Sequence, residues 1–258
     1  MVSKEKNIHY HSEEISKYFG RSRRKWDDYY PSERWIFDCL ARERETFGHV
    51  LDVGCAAGGL GAMLGGRFTL SSYTGIDINP QAIATGREAG DLPPETRLLV
   101  GDVVEDASLA SQGFDMVVNL SCADWNLDTA GILAASWARV APGGVMVVSL
   151  RLTPGASVTS LAQSFQYIHY GDDPVPEGCE KAAYVVLNLN TALSMLSTLP
   201  ETRRLVAYGY WGKPSATART PVERVLFGVL AVERDRAPRP ADDPVQLDLS
   251  FPRDAWLP

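Results

Sequence analysis

Apolar positions in this chain fall into short continuous runs, and between the runs lie segments whose apolar residues recur at helical spacing. Residues 49–53, 72–77, 97–103, 114–120 and 145–150 are runs of the first kind and predict strands. Strands apolar on both faces are what a parallel sheet covered by helices requires. Residues 60–68 and 127–140 predict helices; in the second, Ala130, Leu133, Ala134, Trp137 and Val140 share a face, which places Trp137 in the core. Asn79 caps a further helix, with Pro80 in its first turn. Ahead of the first strand, Ser32 predicts a capped helix running to about Phe47, with Ile36 and Leu40, and Trp35 and Cys39, at the spacing of one buried face. Beyond residue 150 the alternation breaks. Pro154, Gly155, Pro174, Pro176 and Gly178 interrupt 151–183; order resumes at 184–188 and 191–199; and 205–211 and 225–232 predict two closing strands. A proline-rich tail, 234–258, is expected along the surface or disordered. Alternating strands and helices of this kind predict a doubly wound α/β fold.

The stretch 49–59 organises the rest. A strand ends near Asp52, and Gly54, Ala56 and Gly58 then form a turn of tiny residues before a helix. Such a turn lets the backbone lie against a ligand where a bulky side chain would collide, with the helix amides facing it. The second strand ends in Asp77, 25 positions after Asp52 (77 − 52), the spacing at which an acid meets ribose hydroxyls. A carboxylate suits a vicinal diol because it accepts two hydrogen bonds; the bland alternative is that Asp77 only caps the next helix. A Gly-Lys-Ser/Thr triplet, and with it a P-loop, is missing from the sequence.

With these residues in view, 49–59 resembles the first motif of class I S-adenosylmethionine (SAM)-dependent methyltransferases, an acid, a spacer and Gly-x-Gly-x-Gly, with Ala56 at the middle glycine. That alanine would crowd a pyrophosphate, which counts against an NAD-dependent oxidoreductase. The resemblance implies a Rossmann-like, seven-stranded, mostly parallel sheet with helices on both faces and an antiparallel final strand, and SAM as cofactor without a metal. It further implies that Asp52, Gly54, Ala56, Gly58, Asp77, Ile78, Asp102, Val103 and Asn119 bind SAM. In such enzymes Asp77 would meet the ribose, Asp102 the adenine amino group, and Val103 the ring. Residues 1–47 would form a helical cover, in which Tyr18 or Tyr30 stacks near the sulfonium and Arg24 meets the methionine carboxylate. The alternative is that these rings pack on the domain and the arginines are solvated. The domain would then span 48–233, with an inserted cover segment at 154–182. Segments 149–153, 164–168 and 209–215 resemble parts of uncharacterised bacterial methyltransferases.

The fourth-strand exit, 121–125, faces the methyl position in that family. It lacks the Asn/Asp-Pro-Pro-Tyr signature of many base and glutamine methyltransferases, which shifts weight to a hydroxyl of a sugar or similar polar small molecule. A hydroxyl acceptor needs a base, for which Asp124, at that exit, and His169, in the insertion, are the candidates. N-methylation of a small amine and a SAM-binding protein lacking catalysis stay open beside this reading. Composition adds exclusions. Apolar residues make up 45%, charged residues 22%, and the formal net charge is −7, which argues against a broad nucleic-acid-binding surface. Cys39, Cys55, Cys122 and Cys179 are widely spaced, as reduced thiols in a cytoplasmic protein would be, and no apolar run has membrane-spanning length. Nothing in the pattern speaks to oligomeric state.

Overall fold

The computed structural model describes residues 22–109, 112–169, 174–240 and 243–256. Tyr18, with the first part of the expected cover, lies outside them. The five strands expected from apolar runs are β1 (Thr46–Val53), β2 (Thr69–Asp77), β3 (Thr96–Val100), β4 (Phe114–Asn119) and β5 (Val140–Thr153). They are parallel, in the spatial order β3-β2-β1-β4-β5. Two short strands of the insertion follow, β6 (Phe165–Tyr167) and β7 (Lys181–Ala183), and then a two-residue strand, β8 (Leu187–Asn188), on the free end of β5. The closing strands are β9 (Thr202–Gly212) and β11 (Val225–Arg234), separated by the short β10 (Ala218–Arg219). β11 inserts between β5 and β9 and is antiparallel to both.

The seven-stranded sheet of the expectation is therefore present, and two additions bring it to nine: β8, and β12 (Gln246–Ser250), which pairs parallel with β9. β12 comes from the proline-rich tail. The outer edge of β9 presents unpaired amides and carbonyls that a strand can satisfy, and the Arg204–Asp248 ion pair, at 2.7 Å, fastens the two strands together. Ala255, just beyond, is buried against the core.

The apolar runs supply both faces of the sheet, because successive side chains point to opposite sides. Val50, Met116, Val118, Val145 and Val147 meet helices α1 (Pro31–Glu43), α2 (Gly59–Gly65) and α3 (Pro80–Glu88) through Ile36, Phe37, Leu40, Leu60, Leu64 and Ile83. The alternate residues Leu51, Val53, Val117, Met146 and Val148 meet α4 (Thr129–Trp137) and α5 (Leu189–Ser197) through Ile132, Leu133 and Leu196. Trp137 is buried in that second cluster and donates from its indole to the Pro200 carbonyl at 3.0 Å.

Helix α1 begins and ends earlier than its sequence pattern suggested. Pro31 takes the first helical position, where a missing N–H costs nothing, and Glu33 Oε2 accepts from the Tyr30 amide at 2.9 Å, so Ser32 lies inside the helix. The chain leaves α1 at Arg44, and Phe47 belongs to β1. The insertion contributes β6 and β7 to a separate three-stranded sheet of order β10-β6-β7. That sheet is tied to the β4 exit by the Val185 amide, which donates to the Asp124 carbonyl at 3.0 Å. Among the described residues no helix is long and apolar enough to cross a membrane.

Candidate active site

The order of the strands reverses between β1 and β4, and in an open parallel sheet the crevice at such a point is where ligands bind. Three cavities occupy it. The first, of about 790 Å³, is lined by Gly54, Ala56, Asp77, Ile78, Asp102 and Val103, together with Cys122, Trp125, Asn126 and Ile132. The second, of about 490 Å³, lies between the β4 exit, α1, β5 and the insertion. The third, of about 500 Å³, holds Asp52, Tyr29 and Arg23 against Gly54, Ala56 and Gly59. Ser121, two residues past the end of β4, lines all three.

Six of the nine cofactor residues expected from sequence thus share the first cavity, and Asp52 lines the third. The other two stand behind. Gly58, at φ +76°, is the turn into α2. Asn119 is fully buried, and its Oδ1 accepts the Ala123 amide at 2.9 Å, which shapes the β4 exit. Asp77 accepts the Ala56 amide on Oδ2 and the Asn79 amide on Oδ1, each at 2.8 Å, so lone pairs on both oxygens still face the cavity. The cap of α3 is Asn79, whose side chain accepts from Gln81 and Ala82. Burial raises the Asp77 carboxyl above its ordinary value, opposed by those two amides. Asp52 is deeper, accepting from the Tyr73 hydroxyl at 2.6 Å. Burial pushes its carboxyl up to about 7, against the Tyr73 hydrogen bond and the Arg23 charge, which favour the ionised form.

Strained backbone concentrates here. Among the described residues, those other than glycine with positive φ are Arg23 (58°), Ala56 (47°), Glu95 (57°), Ser121 (51°) and Glu201 (62°), and three of the five line these cavities. Clustering of this sort marks sites where the backbone is held to a purpose. Gly54, at φ +73°, needs its glycine twice over, because a Cβ there would meet Cys122 Sγ at 2.6 Å.

Arg24, expected at a methionine carboxylate, instead pairs with Asp91 on the surface. Its neighbour Arg23 takes the cavity position: one guanidinium nitrogen lies 3.3 Å from Ser121 Oγ and another 2.8 Å from the fully buried Glu33. The Arg23 carbonyl would be 2.7 Å from a Cβ at Gly59, so this segment crosses the start of α2 with no room to spare. Sequence reasoning missed Arg23 because two adjacent arginines carry the same signal. Tyr30 stacks on Phe227 at 6.2 Å and lines the second cavity.

The two candidate bases are far from equivalent. His169 follows β6, its amide donating to the Tyr167 carbonyl at 3.0 Å, and it is not among the residues lining the three cavities. Asp124 is 3% exposed and lines the second cavity. Its Oδ2 accepts from Arg151 twice, from Nε at 2.6 Å and from the amide at 3.0 Å, and its carbonyl accepts from Arg151 Nη2 at 2.8 Å. The remaining oxygen, Oδ1, is buried without a hydrogen-bond partner.

A β3-β2-β1-β4-β5 parallel order closed by an antiparallel pair, with acids at the ends of β1 and β2 around a turn of small residues, is the architecture of class I SAM-dependent methyltransferases. Residues 50–144 match the family model described as a methyltransferase domain. Two curated relatives, both named trans-aconitate 2-methyltransferase, are similar over about a hundred residues. The one from Deinococcus radiodurans is 29% identical over 104 residues, which is 40% of this chain and 38% of that protein. The one from Delftia acidovorans is 26% identical over 103 residues, 37% of its length. The alignment therefore spans well under half of either relative. Among solved structures, the N-methyltransferase NodS of Bradyrhizobium japonicum, in complex with S-adenosylhomocysteine (SAH), shares the fold at TM-score 0.52 and 18% identity, over 87% of this chain and 98% of that one. SAM-bound CalS10, an amino pentose methyltransferase of Micromonospora echinaspora, does so at 0.51 and 18%, over 88% and 99%. At that identity these two speak to the fold alone.

Two predictions follow from the electrostatics. Asp124→Asn leaves the buried Arg151 charge without its counter-ion and should lower stability by about 3–5 kcal/mol, whereas Asp124→Leu combined with Arg151→Met should recover most of that; urea unfolding of both variants checks the difference. For Asp52, the unfolded carboxyl titrates near ~3.9, so between about pH 4 and 7 the folded state holds the extra proton. Stability contributed by this group is then complete below pH ~4 and is lost as pH rises towards 7, by roughly 4 kcal/mol for a shift of this size. Asp52→Asn should flatten that decline in a series of unfolding midpoints against pH.

Proposed function

We propose that this chain transfers the methyl group of SAM to a hydroxyl of a sugar or similar polar small molecule. The observation that carries the reading is the junction at Ser121, where a nucleoside-sized cleft, a cavity with one acid and one arginine, and a third cavity of polar and aromatic walls all meet. The residues fit the cofactor. Asp77 has lone pairs to spare for two ribose hydroxyls, Ile78 and Val103 offer apolar contact to the adenine, and Asp102 stands beside them to accept from its amino group. Arg23 and Asp52 present opposite charges to the carboxylate and ammonium of the methionine end. Gly54 leaves the space that any Cβ would take from the turn.

SAM supplies an electrophilic methyl group on a good leaving group. What remains for the protein is to hold an acceptor in line and to take its proton, since a neutral hydroxyl is a poor nucleophile. Asp124 takes that proton through Oδ1, the oxygen that Arg151 leaves unengaged, while Arg151 fixes the carboxylate's orientation through Oδ2. Asp124 is favoured over His169 because it lines the cavity next to the cleft.

Asp77→Ala should weaken SAH binding by about tenfold to a hundredfold, as expected for roughly 1–3 kcal/mol of hydrogen bonds to a charged group. Calorimetry on a folded variant measures this, and normal affinity would move the ribose elsewhere. Incubation with methyl-labelled SAM and a panel of nucleotide sugars, glycans and amines tests the reaction itself. Label is expected in the hydroxyl-bearing compounds; transfer to amines alone would overturn the choice of oxygen.

A further inference from the structure

We propose that the second cavity is the acceptor subsite and that its occupant is a neutral polyhydroxylated ring, gripped by Asp124, Arg151 and Gln166. The proposal rests on the reading of the first cavity as the cofactor cleft, which it adjoins through Ser121 and Trp125. Each of the three gripping residues is more than nine-tenths buried: Asp124 is 3% exposed, Arg151 4% and Gln166 7%. All three line the cavity, and each keeps one atom without a hydrogen-bond partner, namely Asp124 Oδ1, Arg151 Nη1 and Gln166 Oε1. An unmatched buried polar atom costs about 1–3 kcal/mol. Three of them around one cavity are a cost that a ligand's own polar groups would remove.

The signs of those atoms say what the ligand carries. Two are acceptors that need a donor, and one is a donor that needs an acceptor. A hydroxyl does both, giving its proton to Asp124 or Gln166 while a lone pair takes the Arg151 N–H. A carboxylate or phosphate would satisfy Arg151 and leave the two acceptor oxygens facing more negative charge. The Arg151 charge is moreover already matched by Asp124 at 2.6 Å. The second acid on the wall, Glu33, is likewise matched, by Arg23 at 2.8 Å. Among the described residues the cavity therefore offers no free cation to an anion. Its remaining lining mixes rings with hydroxyls: Trp125 and Phe227, the Tyr184 ring 3.9 Å from the Arg151 guanidinium, and Ser32, Ser121, Ser149 and Ser215. Rings interleaved with hydroxyls and unmatched polar atoms suit a molecule whose faces are C–H and whose edge is hydroxyl.

Saturation-transfer NMR with methyl glycosides of glucose, galactose, rhamnose and xylose, with and without SAH, tests this, with tricarballylate as the polycarboxylate probe. At least one glycoside should receive saturation on its ring protons, and tricarballylate none. Gln166→Leu, which keeps the shape and leaves the Asp124–Arg151 pair intact, should weaken the glycoside about threefold to tenfold, as loss of one hydrogen bond implies, while SAH affinity is unchanged. Phe227→Leu should weaken it as well and serves as a second variant if Gln166→Leu does not fold. Binding of SAH with no glycoside bound, a glycoside indifferent to both variants, or tricarballylate bound in place of the glycosides would each overturn the proposal. Glycoside binding without any SAH binding would instead uphold the sugar site and overturn the cofactor reading.

Discussion

A guanidinium buried beneath the β4 exit constrains everything around it. Arg151 keeps its charge at any pH at which the protein folds, and removing such an ion from water costs several kcal/mol unless the geometry of its pairing is good. Asp124 provides that geometry with one carboxylate oxygen and one carbonyl, and the same carbonyl also takes the Val185 amide. One residue of the exit turn thereby joins β5 and the insertion to the end of β4. The neighbouring Ser121 is held in a left-handed conformation with its amide on Ser149 Oγ at 2.7 Å, so the turn has little freedom to drift.

On the opposite side of Ser121 a second buried pair does comparable work. Glu33, at the start of α1, receives Arg23, and the Arg23 carbonyl accepts from the Tyr29 hydroxyl at 2.7 Å while lying across Gly59. The N-terminal segment is thus fastened beside the cleft by an ion pair to α1, and the chain leaving the insertion by the Val185 amide on the Asp124 carbonyl. Between the pairs sit Asp52 and Asp77, both with carboxyls raised by burial. Two buried acids raised in this way are stabilised in their ionised form by a cation. The proposed cofactor brings two, a sulfonium and an ammonium, so its binding and the ionisation of these acids would favour one another.

How much of this the sequence disclosed depends on the distance over which each signal acts. The parallel strands were legible because two apolar faces leave a continuous run, and Asp77 because its spacing from Asp52 is local to one βαβ unit. Asp124 was legible as a position, at the end of β4. Its partner Arg151 was not, since 27 residues separate them (151 − 124) and only the adjacency of β4 and β5 in the sheet brings them together. Arg23 and Arg24 could not be told apart, because the turn at Arg23, with φ of 58°, decides which of two adjacent cations faces inward. β12 escaped for a different reason. Val245, Leu247, Leu249 and Phe251 alternate with polar residues as a half-buried strand requires, but the prolines around them point to a tail, and the strand forms where β9 presents an open edge.

Ala56 shows how one departure from a pattern is absorbed. At φ 47° an alanine is strained by roughly 1–2 kcal/mol where a glycine is free. Its amide, however, is fixed by Asp77 Oδ2 at 2.8 Å, and a hydrogen bond to a charged group returns energy of the same order. The turn after β1 and the acid after β2 therefore support each other across the sheet. Asp77 holds the small-residue turn in the shape that leaves the cleft open, and the turn aligns Asp77 so that its spare lone pairs face the same space. A ligand hydroxyl at Asp77 reads a carboxylate whose position has already been set by the backbone of the first motif, which is why these two stretches, distant in the chain, act as a single surface.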